Sequence, residues 1–396
     1  MTTPHSMKAL LVDPSLFTAP YDAALTEGLI TADVEPIWAT RPIRKGDRQE
    51  IPIECTDPFF YRRVERVSWL PQKLKVVIKG AAHLFGLLGL LRRIRLLRPD
   101  VVHFQWIVVP VLDALAMSLI RRWCPLVLTV HDTVPFNGQR MPWLQRVGHH
   151  WPTQLADRVI VLTRGARQAL IEQGVAPDKI AVIPHGPMRL HADPTAAPPQ
   201  RDPRWTFLLF GEIKPYKGLD LLIDAVAALP ESVRRSALVI VAGRPRMDIA
   251  PLVERISELG LDMHFDLRLR RQTDFEMAAL FSSTDCFVFP YRQIDASSVY
   301  FFVKPIGRWL IASRIGIFAE DVIDGVQGCL TPAGDVDALA LAMSEAIAER
   351  PCTKPDEIAE GWANIGRLTR ALYHDAITEF AKLSQVGADA AVTKNR

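Results

Sequence analysis

Two lysines lie in a short loop where a predicted strand meets a predicted helix. The apolar residues 207–210 indicate a strand that runs into Gly211, and after Lys214 and Lys217 a helix with apolar residues at helical spacing begins at Gly218. A helix N-terminus carries partial positive charge and free N–H groups, so lysines beside it favour binding of an anion such as phosphate. The alternative is an ordinary strand-to-helix connection with solvated lysines, because one basic loop is a weak motif.

The segment FGEIKPYKGLDLL, residues 210–222, resembles the start of the donor-binding domain in family 4 glycosyltransferases of the GT-B fold. In that family a basic residue and a Lys-Gly pair grip the diphosphate of a nucleotide sugar, and Lys214 and Lys217 match those positions. The resemblance continues at intervals to about residue 345 and more faintly back to about residue 125. It implies an α/β protein with the GT-B fold, in which two Rossmann-like doubly wound domains face each other across a cleft.

His131 and Asp132 follow an apolar run, residues 126–130, that reads as a buried parallel strand. Doubly wound sheets bind ligands beyond the carboxyl ends of their strands, whereas the alternative role for His131 is to satisfy loop backbone. The phrase T-V-H-D-x-x-P resembles the family segment whose histidine lies near the donor sugar. The resemblance implies retention at the anomeric carbon, with His131 orienting sugar and acceptor. An inverting reaction would need a general base, for which Asp132 and Asp22 are the candidates.

Two further strand ends should contribute to the donor site. Gly243 and Arg244 follow the predicted strand 237–242, and Tyr291 and Arg292 follow the predicted strand over residues 284–289, so all four should line the ligand-binding edge of the sheet.

The segment after Tyr291 departs from the commonest family pattern. Many members have two glutamates here, the second of which holds the donor ribose, but this chain has Ile294 and Phe302 at those places. Asp295, Ser297 and Ser298 resemble a variant in which serine precedes the helix. The serines should then cap that helix near phosphate, and Asp295 is a candidate replacement for the missing acid.

Residues 72–98 combine a long apolar run with basic ends. The basic residues are Lys73, Lys75 and Lys79 before it and Arg92, Arg93, Arg95 and Arg98 after it. One interpretation is a core helix with charged ends. The other is a surface helix that also contacts anionic lipid, to which each basic residue can add about 1 kcal/mol.

The length of 396 residues suits two domains. We expect an acceptor-binding domain over residues 1–187, a proline-rich linker over 188–204 and a donor-binding domain over 205–356. A helix over 357–385 should cross back to the first domain, as is common in GT-B proteins, and 386–396 should be disordered.

Composition excludes several classes of protein. A net charge of +3 gives no global field for nucleic acid, and five scattered cysteines without metal-ligand spacing indicate a reducing compartment and no structural zinc. The N-terminus lacks the pattern of a signal peptide, and no apolar run reaches 18 residues, so a cytoplasmic protein without a membrane span is expected. We expect no cofactor or metal beyond the nucleotide sugar itself.

The sequence thus predicts a retaining hexosyltransferase that moves a sugar from a UDP- or GDP-sugar to a saccharide acceptor at the inner face of a bacterial plasma membrane. A lipid-linked acceptor in surface or exopolysaccharide synthesis fits the basic helix. The alternative is a non-catalytic nucleotide-sugar-binding subunit of a polysaccharide assembly complex, which the two missing glutamates suggest. An epimerase of the same fold fits the Lys-Gly segment less well. Base, sugar and acceptor identity stay open.

Overall fold

The computed structural model of the protein describes residues 6–62, 72–134, 147–192, 202–354 and 361–394. These residues form two compact units. Unit 1 holds the described residues up to Thr133, those from 147 to Gly186 and those from 361 onward, and unit 2 holds Val134 and those from Pro187 to 354. The predicted linker falls largely on residues 193–201, which lie outside the described residues.

Unit 1 is built on a parallel sheet of seven described strands in the order β3-β2-β1-β4-β5-β6-β7. The strands are β1 Met7–Val12, β2 Val34–Thr40, β3 Thr56–Pro58, β4 Val101–Phe104, β5 Leu126–Val130, β6 Arg158–Val161 and β7 Ile180–Val182. The helices among them are α1 Ala19–Thr31, α2 Gln72–Leu97, α3 Pro110–Ile120, α4 Trp151–Leu155 and α5 Arg164–Glu172.

Helices cover both faces of this sheet. Ala9 and Leu11 of β1 belong to one apolar cluster, while Leu10 and Val12, which point the other way, belong to a second. Strands buried on both faces have continuous apolar runs, which is why the sequence predicts them well.

Strand β2 lies partly within residues 36–70, where the prolines and polar residues of the sequence indicate a loop with short elements. Pro36 suggested a break, yet it lies within β2 opposite Ala9 of β1. Strand β3 pairs only with Trp38–Thr40, so Pro36 is at an edge where a missing N–H costs no ladder bond.

Unit 2 is built on a six-stranded parallel sheet in the order β10-β9-β8-β11-β12-β13. Its strands are β8 Trp205–Phe210, β9 Ala237–Ala242, β10 Phe265–Arg268, β11 Cys286–Phe289, β12 Trp309–Ser313 and β13 Gly328–Thr331. Its helices are α6 Leu219–Ala228, α7 Glu231–Arg234, α8 Ala250–Glu258, α9 Asp274–Ser283, α10 Ser298–Val303, α11 Gly316–Asp321 and α12 Val336–Glu349. The predicted α/β fold with two Rossmann-like domains is confirmed.

The final helix, α13 Gly361–Lys394, packs within unit 1. A Cβ at Gly366 would lie 1.9 Å from the carbonyl oxygen of Gly28 in α1, so glycine permits this close approach. The helix continues beyond its predicted end at residue 385. Its last turns hold several alanines, which favour helix, so residues 386–394 are helical where disorder was expected. No helix in the described part of the chain has the length and apolar character that a bilayer span requires.

Candidate functional site

The loop after β8 depends on two glycines. Gly211 has φ +100° and Gly218 has φ +69°, a region that disfavours residues with a Cβ. A Cβ at Gly218 would lie 2.0 Å from the carbonyl oxygen of Pro290, and one at Gly211 would lie 2.7 Å from Nζ of Lys217. The loop therefore closes against the segment after β11 and against its own lysine.

Backbone hydrogen bonds fasten this loop to the loop after β9. The Gly211 N–H donates to the Ala242 oxygen at 2.9 Å, and the Ile213 N–H donates to the Arg244 oxygen at 3.0 Å. A Cβ at Gly243 would lie 1.9 Å from the Gly211 oxygen, so the two loops touch through glycine backbone. The side chain of Arg244 is exposed at this edge.

Lys217 is the deeply placed cation of the loop. Its side chain folds back so that Nζ donates to the carbonyl oxygen of Phe210 at 2.9 Å and lies 5.4 Å from the ring centroid of Tyr291. The residue is only 5% exposed. Burial, reinforced by nearby Lys214, lowers the pKa of Lys217 to about 7. An arriving anion would relieve that penalty, which is the electrostatic requirement for a diphosphate site.

Lys214 and Arg292 lie on a neighbouring pocket. Lys214 pairs with Glu212 at 3.2 Å, and Arg292 makes a two-pronged ion pair with Asp220 at 2.8 and 2.6 Å. Together with Tyr216 they line a pocket of about 480 Å³. Both cations are therefore already paired with carboxylates, unlike the amine of Lys217, which hydrogen-bonds a neutral carbonyl.

The residues predicted to bind the donor in the segment that begins at Tyr291 differ in burial and in hydrogen bonding. Tyr291 is buried, and burial raises its pKa. Ser297 occupies the N-cap position of α10, but its hydroxyl makes no capping hydrogen bond, so that part of the prediction is wrong. Ser298 is exposed and Asp295 is partly buried, with the Asp295 backbone oxygen accepting from Ile317 N at 2.9 Å.

In unit 1, His131 follows β5 and is enclosed by aromatic rings. It stacks on Trp106 with ring centroids 4.8 Å apart and an interplanar angle of 10°, and the edge of Tyr21 lies 5.1 Å away. Its Nε2 is 3.1 Å from Oε1 of Gln105. Asp132 lies beside it, partly buried.

Burial, assisted by His185 and His103, lowers the pKa of His131 to about 3. The imidazole is neutral at physiological pH, so Nε2–H donates to Gln105 and Nδ1 keeps an acceptor lone pair. His131 can therefore position a hydroxyl group but holds no charge to offer.

Tyr21, His185 and Trp362 extend this cluster. Tyr21 lies 5.0 Å from His185 and 5.2 Å from Trp362, measured between ring centroids. Sequence reasoning missed Trp106, Tyr21 and Trp362 because they come from the loop after β4, from α1 and from α13, which no local pattern connects. The position of His185 shortly after the end of β7 was the available signal.

Two family models match the chain. The model of Glycosyltransferase Family 4 matches residues 23–186, and that of Glycosyl transferases group 1 matches residues 204–349. Two structural relatives have the GT-B arrangement. The Anabaena protein HepE in complex with UDP has a TM-score of 0.64 at 17% identity over 97% of this chain and 100% of that one. Sucrose-phosphate synthase from Thermosynechococcus elongatus has a TM-score of 0.65 at 18% identity, with the same coverage.

The two Rossmann-like sheets, together with the glycine-containing loops after β8 and β9, thus define a GT-B protein. Within that class, the chain belongs to the family 4-like glycosyltransferases.

Curated relatives agree with the family. A D-inositol 3-phosphate glycosyltransferase of Mycobacterium sp. (strain KMS) is 29% identical over 255 residues, which are 59% of this chain and 56% of the relative. A GDP-mannose-dependent alpha-(1-6)-phosphatidylinositol monomannoside mannosyltransferase of Mycolicibacterium smegmatis is 32% identical over 142 residues, 34% of this chain and 36% of the relative. The chain thus spans little more than half the length of the first relative.

Proposed function

We propose that the protein transfers a sugar from a nucleotide diphosphate sugar to a saccharide acceptor. The observation that carries this proposal is the amine of Lys217, buried at the carboxyl end of β8 with a neutral hydrogen-bond partner and a lowered pKa. A diphosphate bound there holds the amine protonated. Protonated Lys217 then stabilises the negative charge that develops on the leaving diphosphate, where transition-state stabilisation is worth most.

In a retaining reaction the bond from the anomeric carbon to the diphosphate oxygen breaks as the acceptor oxygen attaches on the same face. The diphosphate oxygen takes the acceptor proton, so no protein nucleophile is needed. Neutral His131 accepts a hydrogen bond at Nδ1 from a sugar hydroxyl and fixes its orientation. Lys217 offsets part of the charge of the diphosphate, and we propose that no metal ion is required.

The acceptor proposal is supported by an aromatic platform in unit 1. Phe17 is 59% exposed and lies 5.4 Å from Trp106, which itself stacks on His131. Flat aromatic faces beside a hydrogen-bonding imidazole suit the apolar face and the hydroxyls of a saccharide ring.

A lipid link to that acceptor is supported by α2. Its outer face exposes Val77, Phe85 and Leu88 at 66%, 72% and 53%. Lys79 and Arg92 are exposed on the same helix, which contains no acidic residue. An apolar face with basic flanks is typical of helices that bind anionic lipid, and it supports our proposal that the protein works at the cytoplasmic face of the plasma membrane.

Donor specificity is tested first with the purified protein and a panel of UDP- and GDP-sugars. Thermal shift identifies the bound donor, because a ligand at about 100 times its Kd stabilises by about 2.7 kcal/mol. Hydrolysis of that donor, followed by the release of the nucleoside diphosphate, then tests catalysis.

A non-catalytic subunit is the second candidate, because Ile294 is buried and Phe302 stands where the family's second glutamate would be. Binding of a nucleotide sugar without hydrolysis or transfer would favour it. A change of the donor into an isomeric nucleotide sugar would instead indicate an epimerase.

A further inference from the structure

Two buried carboxyl groups flank the turn between β1 and α1. Asp13 follows the last residue of β1, and Asp22 lies in the first turn of α1. Both are 0% exposed. Two ionised carboxylates without water are costly, so their hydrogen bonds decide what state they adopt.

The two carboxyls differ in what they accept. Asp13 uses both oxygens for backbone donors, with Ser15 N 3.1 Å from Oδ1 and Thr18 N 3.3 Å from Oδ2. Asp22 accepts the Thr18 hydroxyl at Oδ1, 3.2 Å away, whereas its Oδ2 is buried with no hydrogen-bond partner among the described donors. The carboxyl groups of Asp13 and Asp22 are within hydrogen-bonding reach of each other, so a protonated Oδ2 of Asp22 could donate to Asp13.

The same threonine connects the pair to the histidine site. Trp106 donates its indole N–H to Oγ1 of Thr18 at 2.9 Å, and its ring stacks on His131. Thr18 therefore lies between the carboxyl of Asp22 and the ring that holds His131 in place.

The ionisable groups of described residues beside the pair are either neutral or already paired. Tyr21 and Tyr61 face the pair, and burial raises the pKa of each phenol. Arg41 donates to the Ser15 carbonyl oxygen at 3.0 Å, but its guanidinium is paired with Asp47 at 2.7 Å. Burial, followed by the charge of Asp13, raises the pKa of Asp22 well above its usual range, and burial also raises the pKa of Asp13.

We propose that Asp13 and Asp22 share one proton, which is carried on Oδ2 of Asp22. The pair is a positioning device: it fixes Thr18, which holds Trp106, and Trp106 in turn stacks on His131. Its consequence for sugar transfer rests on the function proposed above. When the pair loses its proton as pH rises, two buried carboxylates repel each other, the turn over residues 13–18 loosens and Trp106 loses its anchor. His131 is already neutral at physiological pH, and the loss of the Lys217 proton above about pH 7 is a separate titration.

If the proton is on Asp22, the isosteric substitutions Asp22→Asn and Asp13→Asn should affect the hydrogen bonds of the pair differently. In Asp22→Asn the amide oxygen still accepts from Thr18 and the NH₂ group replaces the proposed O–H donor to Asp13. In Asp13→Asn the NH₂ group must face a backbone N–H, and one hydrogen bond is lost. Both variants remove one carboxyl, so each is the matched control of the other.

The experiment uses the full chain. Infrared spectroscopy in D₂O near neutral pD should show the carbonyl stretch of a protonated carboxylic acid in the wild type, and the band should disappear in Asp22→Asn. Thermal unfolding should give Asp22→Asn a melting temperature at least equal to that of the wild type and Asp13→Asn a lower one. Absence of the band from the wild type, or equal melting temperatures for the two variants, would overturn the shared proton.

Kinetics test the positioning role separately. Transfer rates are compared as the ratio of variant to wild type at each pH, because the loss of the Lys217 proton above about pH 7 lowers the rate of every variant. The ratio for Asp22→Asn should rise as pH rises, while Asp13→Asn should lose about a hundredfold at all pH values, the scale expected for a misplaced reacting group. Identical pH profiles for wild type and Asp22→Asn would overturn the positioning role. A protein without any transfer or hydrolysis would refute the proposed function, while the infrared and unfolding results would still decide the proton.

Discussion

The amine of Lys217 lies 2.9 Å from the carbonyl oxygen of Phe210, the last residue of β8. Lys214, three residues earlier, instead pairs with the carboxylate of Glu212. Two lysines that look equivalent in the sequence thus have different electrostatic surroundings, and they should differ in function.

Replacing Lys217 with Ala should lower turnover by at least about a hundredfold, because a lost charge contact in the transition state costs roughly 3 kcal/mol. Lys214→Ala is the matched control and should cost less, since its charge is already balanced by Glu212. Initial rates of donor hydrolysis and transfer measure both, with melting temperatures as a folding check. Activity of Lys217→Ala within about threefold of the wild type would mean that the phosphate site is misassigned.

Nucleotide binding should take up a proton. The pKa of Lys217 is lowered from 10.5 to about 7, so much of the free protein carries a neutral amine at mildly alkaline pH, whereas the diphosphate complex needs it charged. Affinity should therefore fall as pH rises above about 7. Calorimetry in buffers of different ionisation enthalpy measures the uptake, and Lys217→Met should abolish it.

The same group gives a stability prediction of defined sign. Since the unfolded chain binds the Lys217 proton more tightly than the folded one, burial of this lysine costs most below about pH 7, and the cost declines as pH rises toward 10.5. Lys217→Met should therefore raise the melting temperature most near pH 6 and progressively less at alkaline pH. A constant difference across that range would contradict the lowered pKa.

Asp295→Ala should weaken binding of the nucleoside diphosphate less than Lys217→Ala does. Asp295 is partly buried and can supply a hydrogen bond or two, each worth about 1 kcal/mol. Titration calorimetry compares the two variants. A larger loss for Asp295→Ala would show that this acid has taken over the role of the missing glutamate.

Membrane binding should depend on the outer face of α2. Changing Lys79 and Arg92 to Gln and Phe85 to Ser should release the protein from vesicles that contain phosphatidylglycerol, and high salt should do the same to the wild type. Arg93 is left unchanged because its guanidinium pairs with Asp57 and lies over Phe59, 3.7 Å from the ring centroid.

The matched control for the α2 variant combines Arg271→Gln and Lys354→Gln with Phe275→Ser, three exposed positions in unit 2. Vesicle sedimentation is the assay, and transfer to a short soluble acceptor should be unchanged in both variants. Equal sedimentation of wild type and the α2 variant would return α2 to a core helix with charged ends.

The fold was predictable because its signals are local. Buried parallel strands such as β5 and β9 are apolar on both faces, and the glycines that bend the loop after β8 stand next to the lysines they position. Each of these signals lies within a short segment of the chain. Strand β2 and the length of α13 were missed because their limits depend on what packs beside them.

The lysine loop and His131 could therefore be named from the sequence, but their chemistry could not. Only the tertiary structure distinguishes the buried amine of Lys217 from the ion-paired amine of Lys214, because burial and partners set a charge and neither is written in residue order. The structure also brings Asp13 and Asp22 to Thr18, and Trp106 to His131. These residues come from separate strands and helices whose ends meet only when the sheet has formed, which is why no spacing in the sequence predicts them.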